Sequence, residues 1–196
     1  MKPLRLVVVA AVAALALVGC DRGNGTATPP APSSGSGTPT ATPIPAGSAT
    51  AVGQWSTQPV TVTHQVPVPP VPVLTGIRSA AHQTEGFDRI TFDFRGPLPG
   101  YEVRYVDKVV GGATGLPVTV PGRRWIAVTF RPAQAHEDNG TPTVVPLAKT
   151  LDHPMLRAYA IVDDFEAVLT VALGLDDVVA FRVGELPGRV YVDVAA

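Results

Sequence analysis

Ile90-Thr91-Phe92-Asp93-Phe94-Arg95 alternates apolar and polar side chains without a break. Successive side chains of a strand point to opposite faces. The pattern therefore puts Ile90, Phe92 and Phe94 on one face and Thr91, Asp93 and Arg95 on the other. The same period runs through Tyr101-Glu102-Val103-Arg104-Tyr105. It recurs in Trp125 to Phe130, where Ile126, Val128 and Phe130 share a face, and in Arg189-Val190-Tyr191-Val192-Asp193-Val194. One buried and one solvated face is the signature of antiparallel sheets.

Working outward, Met155 to Val162 and Glu166 to Leu173 are two further candidate strands, with Asp163-Asp164 as the break between them. Ala167 to Leu173 suits a short helix by composition, but its Val and Thr content favours a strand. Gly96-Pro97-Leu98-Pro99-Gly100 is expected to be a hairpin loop between its flanking runs. Val120-Pro121-Gly122 and Leu186-Pro187-Gly188 punctuate the chain before the next strands. Arg131 to Pro154 is the longest interruption, a length often found in functional or mobile loops. Short strands at regular spacing predict an all-β fold, a single β-sandwich domain over residues 73–196.

Upstream, residues 1–19 have the parts of an export signal. Lys2 and Arg5 are basic, Leu6 to Val18 is apolar throughout, and Leu17-Val18-Gly19-Cys20 contains the protein's one cysteine. The apolar run is short for a transmembrane helix, which needs roughly 20 residues. Leu-Val-Gly-Cys resembles the lipobox of bacterial lipoproteins. The expectation is a lipoprotein with Cys20 carrying diacylglycerol (and palmitate), held on the extracytoplasmic face of the cell membrane. Two acyl chains make such attachment stable. Residues 20–72, rich in Thr, Pro, Ala, Gly and Ser, have too little apolar mass to offset the entropy of ordering and are expected to form a disordered tether. Within it Val60 to Val66 alternates like a strand, but Pro59 and Pro67 limit it to a sheet edge. Trp55, the tether's one large aromatic, could dock on the domain, and exposure is the preferred expectation.

The chemistry a catalyst needs is scarce. No Ser or Cys occurs after Ser79, which removes the serine and cysteine nucleophiles from residues 80–196. No His-Glu-x-x-His, cysteine pair or phosphate loop is present, and Gly111-Gly112-Ala113-Thr114-Gly115 reads as a turn. His136-Glu137-Asp138 could supply metal or acid–base groups. Asp163, Asp164, Glu166, Asp176 and Asp177 could bind calcium, but without the spacing of a calcium loop. Both groups suit a solvated surface better. A glycosidase carboxylate pair stays open, with nothing to select its members. The expectation is no enzyme, no cofactor and no metal. From Val73 onward there are 12 Lys or Arg against 15 Asp or Glu, with no basic run. This argues against nucleic acid and against electrostatic membrane attachment. Tyr101, Tyr105, Trp125 and Tyr191 are the candidate binding residues, because aromatic rings stack on sugars and anchor protein contacts. They form a platform if they share an outer face and fill the core if they do not.

Gly86 to Phe94, Pro99 to Asp107, Asp164-Phe165-Glu166, Phe181-Arg182-Val183 and Pro187 to Val194 together resemble the AMIN-like domain of actinobacterial lipoproteins. The resemblance covers nearly all of Leu74 to Val194, and its motifs look structural. It is similar, more distantly, to the AMIN domain, a β-sandwich that brings cell-wall amidases and secretins to the envelope by binding peptidoglycan. The resemblance implies a binding module for peptidoglycan or another envelope component. The alternative is an accessory protein–protein module in cell-wall assembly or export.

Overall fold

Phe87–Arg95 forms a strand with Ile90, Phe92 and Phe94 buried, as its alternation demands. It belongs to a computed structural model that describes residues 53–196. The signal, Cys20 and the tether up to residue 52 lie outside the described residues. The described strands are β1 (Val60–Val62), β2 (Val73–His82), β3 (Phe87–Arg95), β4 (Gly100–Val106) and β5 (Arg124–Arg131). They continue as β6 (Ala148–Thr150), β7 (Leu156–Phe165), β8 (Val168–Leu175), β9 (Phe181–Leu186) and β10 (Arg189–Ala195). No helix occurs among the described residues.

Two antiparallel sheets stack as a sandwich. The narrow sheet has four strands in the order β2-β3-β10-β9, and the wide sheet has six in the order β1-β4-β5-β8-β7-β6. Both give their apolar faces to one core. Val60, Val103, Val128, Val171 and Ile161 form one row across the wide sheet. Phe130 of that sheet meets Phe92 and Phe94 of the narrow one, edge to face, at 5.1 and 5.0 Å between centroids. Each such buried ring contributes about 1.5–3 kcal/mol. Asp88 is fully buried at the core's rim. Its Oδ2 accepts hydrogen bonds from the amides of Met155 and Leu156, which ties the start of β7 to the narrow sheet.

Three expectations are corrected. Gly96–Gly100 is not a hairpin loop, because β3 and β4 lie in different sheets. Pro and Gly mark a change of direction but do not say which sheet the next strand joins. Asp163 and Asp164 are not a break: both belong to β7, and the turn falls at Glu166 and Ala167, which have positive φ of 49° and 57°. The domain begins earlier than residue 73. Gly53 donates its amide to Val183, and Ser56 pairs with Phe181 along the free edge of β9. β1 then pairs with β4 on the wide sheet. Residues 53–62 thus form a strap that covers one edge of each sheet. The edge strand read in Val60 to Val66 is present as β1, but local composition does not show its partner or the pairing of Gly53 and Ser56, because those partners lie far away in the chain. Trp55 is half-exposed, but it is docked: its ring lies 6.3 Å from Phe87 and 4.7 Å from the Arg182 guanidinium carbon.

Candidate functional site

The four candidate aromatics do not share a face. Tyr101 and Tyr105 point from β4 into the sandwich. Tyr101 is 3% exposed, and its hydroxyl donates to Glu185 Oε1 at 2.9 Å. Burial first, and then that carboxylate, pushes the phenol far above its usual range. The Tyr105 hydroxyl donates to the Val179 carbonyl at 2.8 Å and accepts from the Val179 amide at 3.0 Å. Both rings are core residues with polar tips satisfied at the β9 side of the sandwich. Trp125 faces outward on the wide sheet, under the 107–122 loop, and its indole donates to the Val120 carbonyl. Tyr191 faces outward on the narrow sheet, on the opposite side of the molecule. Its ring lies over Gly184 and 4.1 Å from the guanidinium carbon of Arg89. These four rings therefore do not form one platform, because strand alternation sends them into three different environments.

A different surface has the features of a site. The outer face of the wide sheet carries a row of polar residues, Thr61, Glu102, Thr129, Thr170 and Asp163, in register across β1, β4, β5, β8 and β7. Thr129 and Thr170 touch through their hydroxyls at 3.2 Å. The next row is Arg104, Ala127, Ala172 and Ala160. Small side chains on this floor leave a trough made of three adjoining concavities. The first, of about 410 Å³, is lined by Thr61, Thr63, His64, Glu102 and Arg131. The second, of about 470 Å³, lies between Arg104, Arg131, Thr170 and the Asp107–Gly112 segment. The third, of about 610 Å³, is lined by His136, Asp163, Asp164, Leu147 and Phe165.

The 107–122 loop forms one wall of the trough. Gly174 is required where it crosses, since a Cβ there would collide with the Pro121 carbonyl. Gly112 lies against the Asp163 carboxyl, and its amide donates to the Val162 carbonyl at 3.2 Å. The glycine-rich segment is thus a turn with a specific contact. Burial first, and then the charge of neighbouring Asp164, pushes the Asp163 carboxyl up. Asp164 itself is engaged: Oδ1 accepts the Ala135 amide at 3.0 Å and Oδ2 lies 2.7 Å from His136 Nδ1. His136 joins Asp163 and Asp164 in lining this end of the trough, while Glu137 turns away to pair with Arg95 at 2.7 Å. No cluster of three metal-ligating side chains occurs among the described residues.

Sequence reading missed the trough residues because Thr129, Thr170, Glu102 and Arg104 occupy ordinary solvent-side positions of their own strands. Register alone aligns them. The available signal was negative: Ala127, Thr129, Thr170 and Ala172 are small residues at outward positions where longer ones are common. No curated protein and no solved structure matches the chain. The family model of the AMIN-like domain matches residues 72–196, so the chain belongs to the AMIN-like family.

Proposed function

We propose that the protein is a non-enzymatic binding module of the cell envelope, held on the membrane through lipidated Cys20, that takes peptidoglycan glycan in the trough of the wide sheet. The lipid anchor, the extracytoplasmic location and the actinobacterial kinship all belong to this proposal. The trough's polar row carries the reading. Hydroxyl and carboxylate groups in register across β1, β4, β5, β8 and β7 suit the repeating hydroxyls of an extended sugar chain. Ala127 beside them leaves room for a ring face, and Arg104 and Arg131 can meet carboxylates on the polymer. Family membership supports the same class of ligand.

The test is co-sedimentation of residues 43–196 with insoluble peptidoglycan. Arg104→Ala combined with Arg131→Ala should lower binding about tenfold, a loss of roughly 1.4 kcal/mol. Unchanged binding by the folded double variant would remove the trough from the reading. One observation favours a protein partner instead: Phe165 and Leu147, 60% and 48% exposed, lie together at the third concavity. If the folded domain ignores peptidoglycan, crosslinking from this end in the native envelope is the way to find that partner.

A further inference from the structure

The outer face of the narrow sheet carries a lattice of arginines. Asp193, fully buried, accepts Arg89 through Nε at 2.6 Å and its terminal amine at 2.8 Å, and Arg182 through Nε at 2.8 Å. Asp93 holds Arg78 in the same two-pronged way, at 2.7 and 2.8 Å, and Arg189 through Nε at 2.8 Å. The carboxylates form the floor and the guanidiniums form the outer layer. Four arginines over two aspartates leave two positive charges on this face. At its end Arg95 pairs with Glu137. Only Nε of Arg182 and of Arg189 is used, so the terminal nitrogens of both have no protein acceptor among the described residues. The Arg78 and Arg189 side chains are 59% and 48% exposed. Trp55 and Leu186, 41% and 46% exposed, flank the lattice.

Fixed guanidiniums with spare donors recognise phosphate and carboxylate oxygens. Because the aspartates already order these side chains, binding costs little further rotamer entropy. Exposed Trp and Leu beside such a layer match the interfacial zone of a bilayer, where aromatic rings and basic groups sit among headgroups. The chain's own course supplies the occupant. The first described residue, Gly53, joins the sandwich at β9, and Trp55 lies on Arg182. The chain before Gly53 contains the apolar run Leu6 to Val18.

We infer that the arginine face of the narrow sheet docks on the anionic phospholipid headgroups of a membrane, while the trough on the opposite sheet stays free for its ligand. The inference takes the membrane from the Cys20 reading and is tested without Cys20. It departs from the expectation drawn from the missing basic run. A run is unnecessary, because strand register gathers Arg78, Arg89, Arg182 and Arg189 from four strands.

The experiment sediments residues 43–196 with vesicles of equal phosphatidylglycerol and phosphatidylcholine, and with phosphatidylcholine alone. The domain should pellet with the first at low salt, dissociate at high salt, and ignore the second. Arg78→Gln combined with Arg189→Gln should weaken vesicle binding about tenfold. Asp93→Asn removes a negative charge from the face, a gain that outweighs the lost ordering of Arg78 and Arg189, so it should strengthen binding severalfold; a purely structural lattice gives no such rise. Absence of binding by the folded domain, equal binding to neutral vesicles, or indifference to the arginine pair would overturn the inference. So would binding to a phosphate-bearing wall polymer without binding to vesicles. Vesicle binding that persists when peptidoglycan binding fails supports it still, since the two tests read different faces.

Discussion

The narrow sheet turns Arg78, Arg89, Arg182 and Arg189 outward over Asp93 and Asp193, while the wide sheet turns Ala127, Thr129, Thr170 and Ala172 outward. On the narrow sheet long side chains cover the surface themselves, and every carboxylate in the lattice is held by two guanidiniums. On the wide sheet small side chains let the 107–122 loop settle on the sheet, with Val109 and Val120 buried against Ala158, Ala160 and Ala172, and that loop builds the trough's wall. The same core therefore supports a preorganised charged plate on one side and a lined trough on the other. Outer faces do not have to fill a fixed volume, so they can diverge while the inner faces stay apolar.

The sharpest way to break this contrast is Asp193→Ala. It leaves Arg89 and Arg182, whose side chains are 27% and 29% exposed, without their shared carboxylate. The expected loss is about 3 kcal/mol in urea unfolding, at the lower end of the range for a broken buried pair because the arginines still reach water. A loss under roughly 0.5 kcal/mol would show that the lattice is decoration. Next comes Gly174→Ala, which pushes a methyl into the Pro121 carbonyl. About 2 kcal/mol is expected from this overpacking. Hydrogen exchange should rise in the 107–122 loop and stay low in β3 and β10 if the damage is confined to the trough wall.

The smallest effect has opposite signs on the two faces. Hydrogen bonding to Arg78, with its charge and then Arg189 assisting, holds the Asp93 carboxyl below the usual range. Its stabilising contribution is present above the ordinary aspartate value and fades as pH falls through the lower folded value. Asp163 is pushed up, so the protein gains from its protonated form. That contribution is present below the ordinary value and is lost as pH rises through the folded one. At neutral pH Asp93→Asn should destabilise and Asp163→Asn should stabilise, each by roughly 0.5 kcal/mol. Matching signs in urea midpoints would erase the electrostatic half of the comparison.

The β-sandwich was legible because period-2 alternation survives in β3, β4, β5 and β10, where one face meets a core. β2 was not, since Gly76-Ile77-Arg78-Ser79-Ala80-Ala81 lies at a sheet edge and has little apolar mass to alternate. The alternation from Val60 to Val66 marked an edge strand, and β1 is one, but its partner, β4, begins at Gly100 and could not be read locally. The trough and the lattice were illegible for a related reason. Each is assembled from residues on several strands, and most members of a row lie too far apart in the chain for one local window to hold them.

What the sequence determined by itself was the class of structure: alternating strands, glycine and proline punctuation, and a short inventory with no cysteine beyond Cys20 and no serine after Ser79. These depend on local backbone preference and on residue identity. Which strands share a sheet, which aromatic rings face the core, and which arginines stand together were decided only in the tertiary structure. Pairing register is a long-range agreement between strands, and shifting it by one residue would send every side chain to the other face.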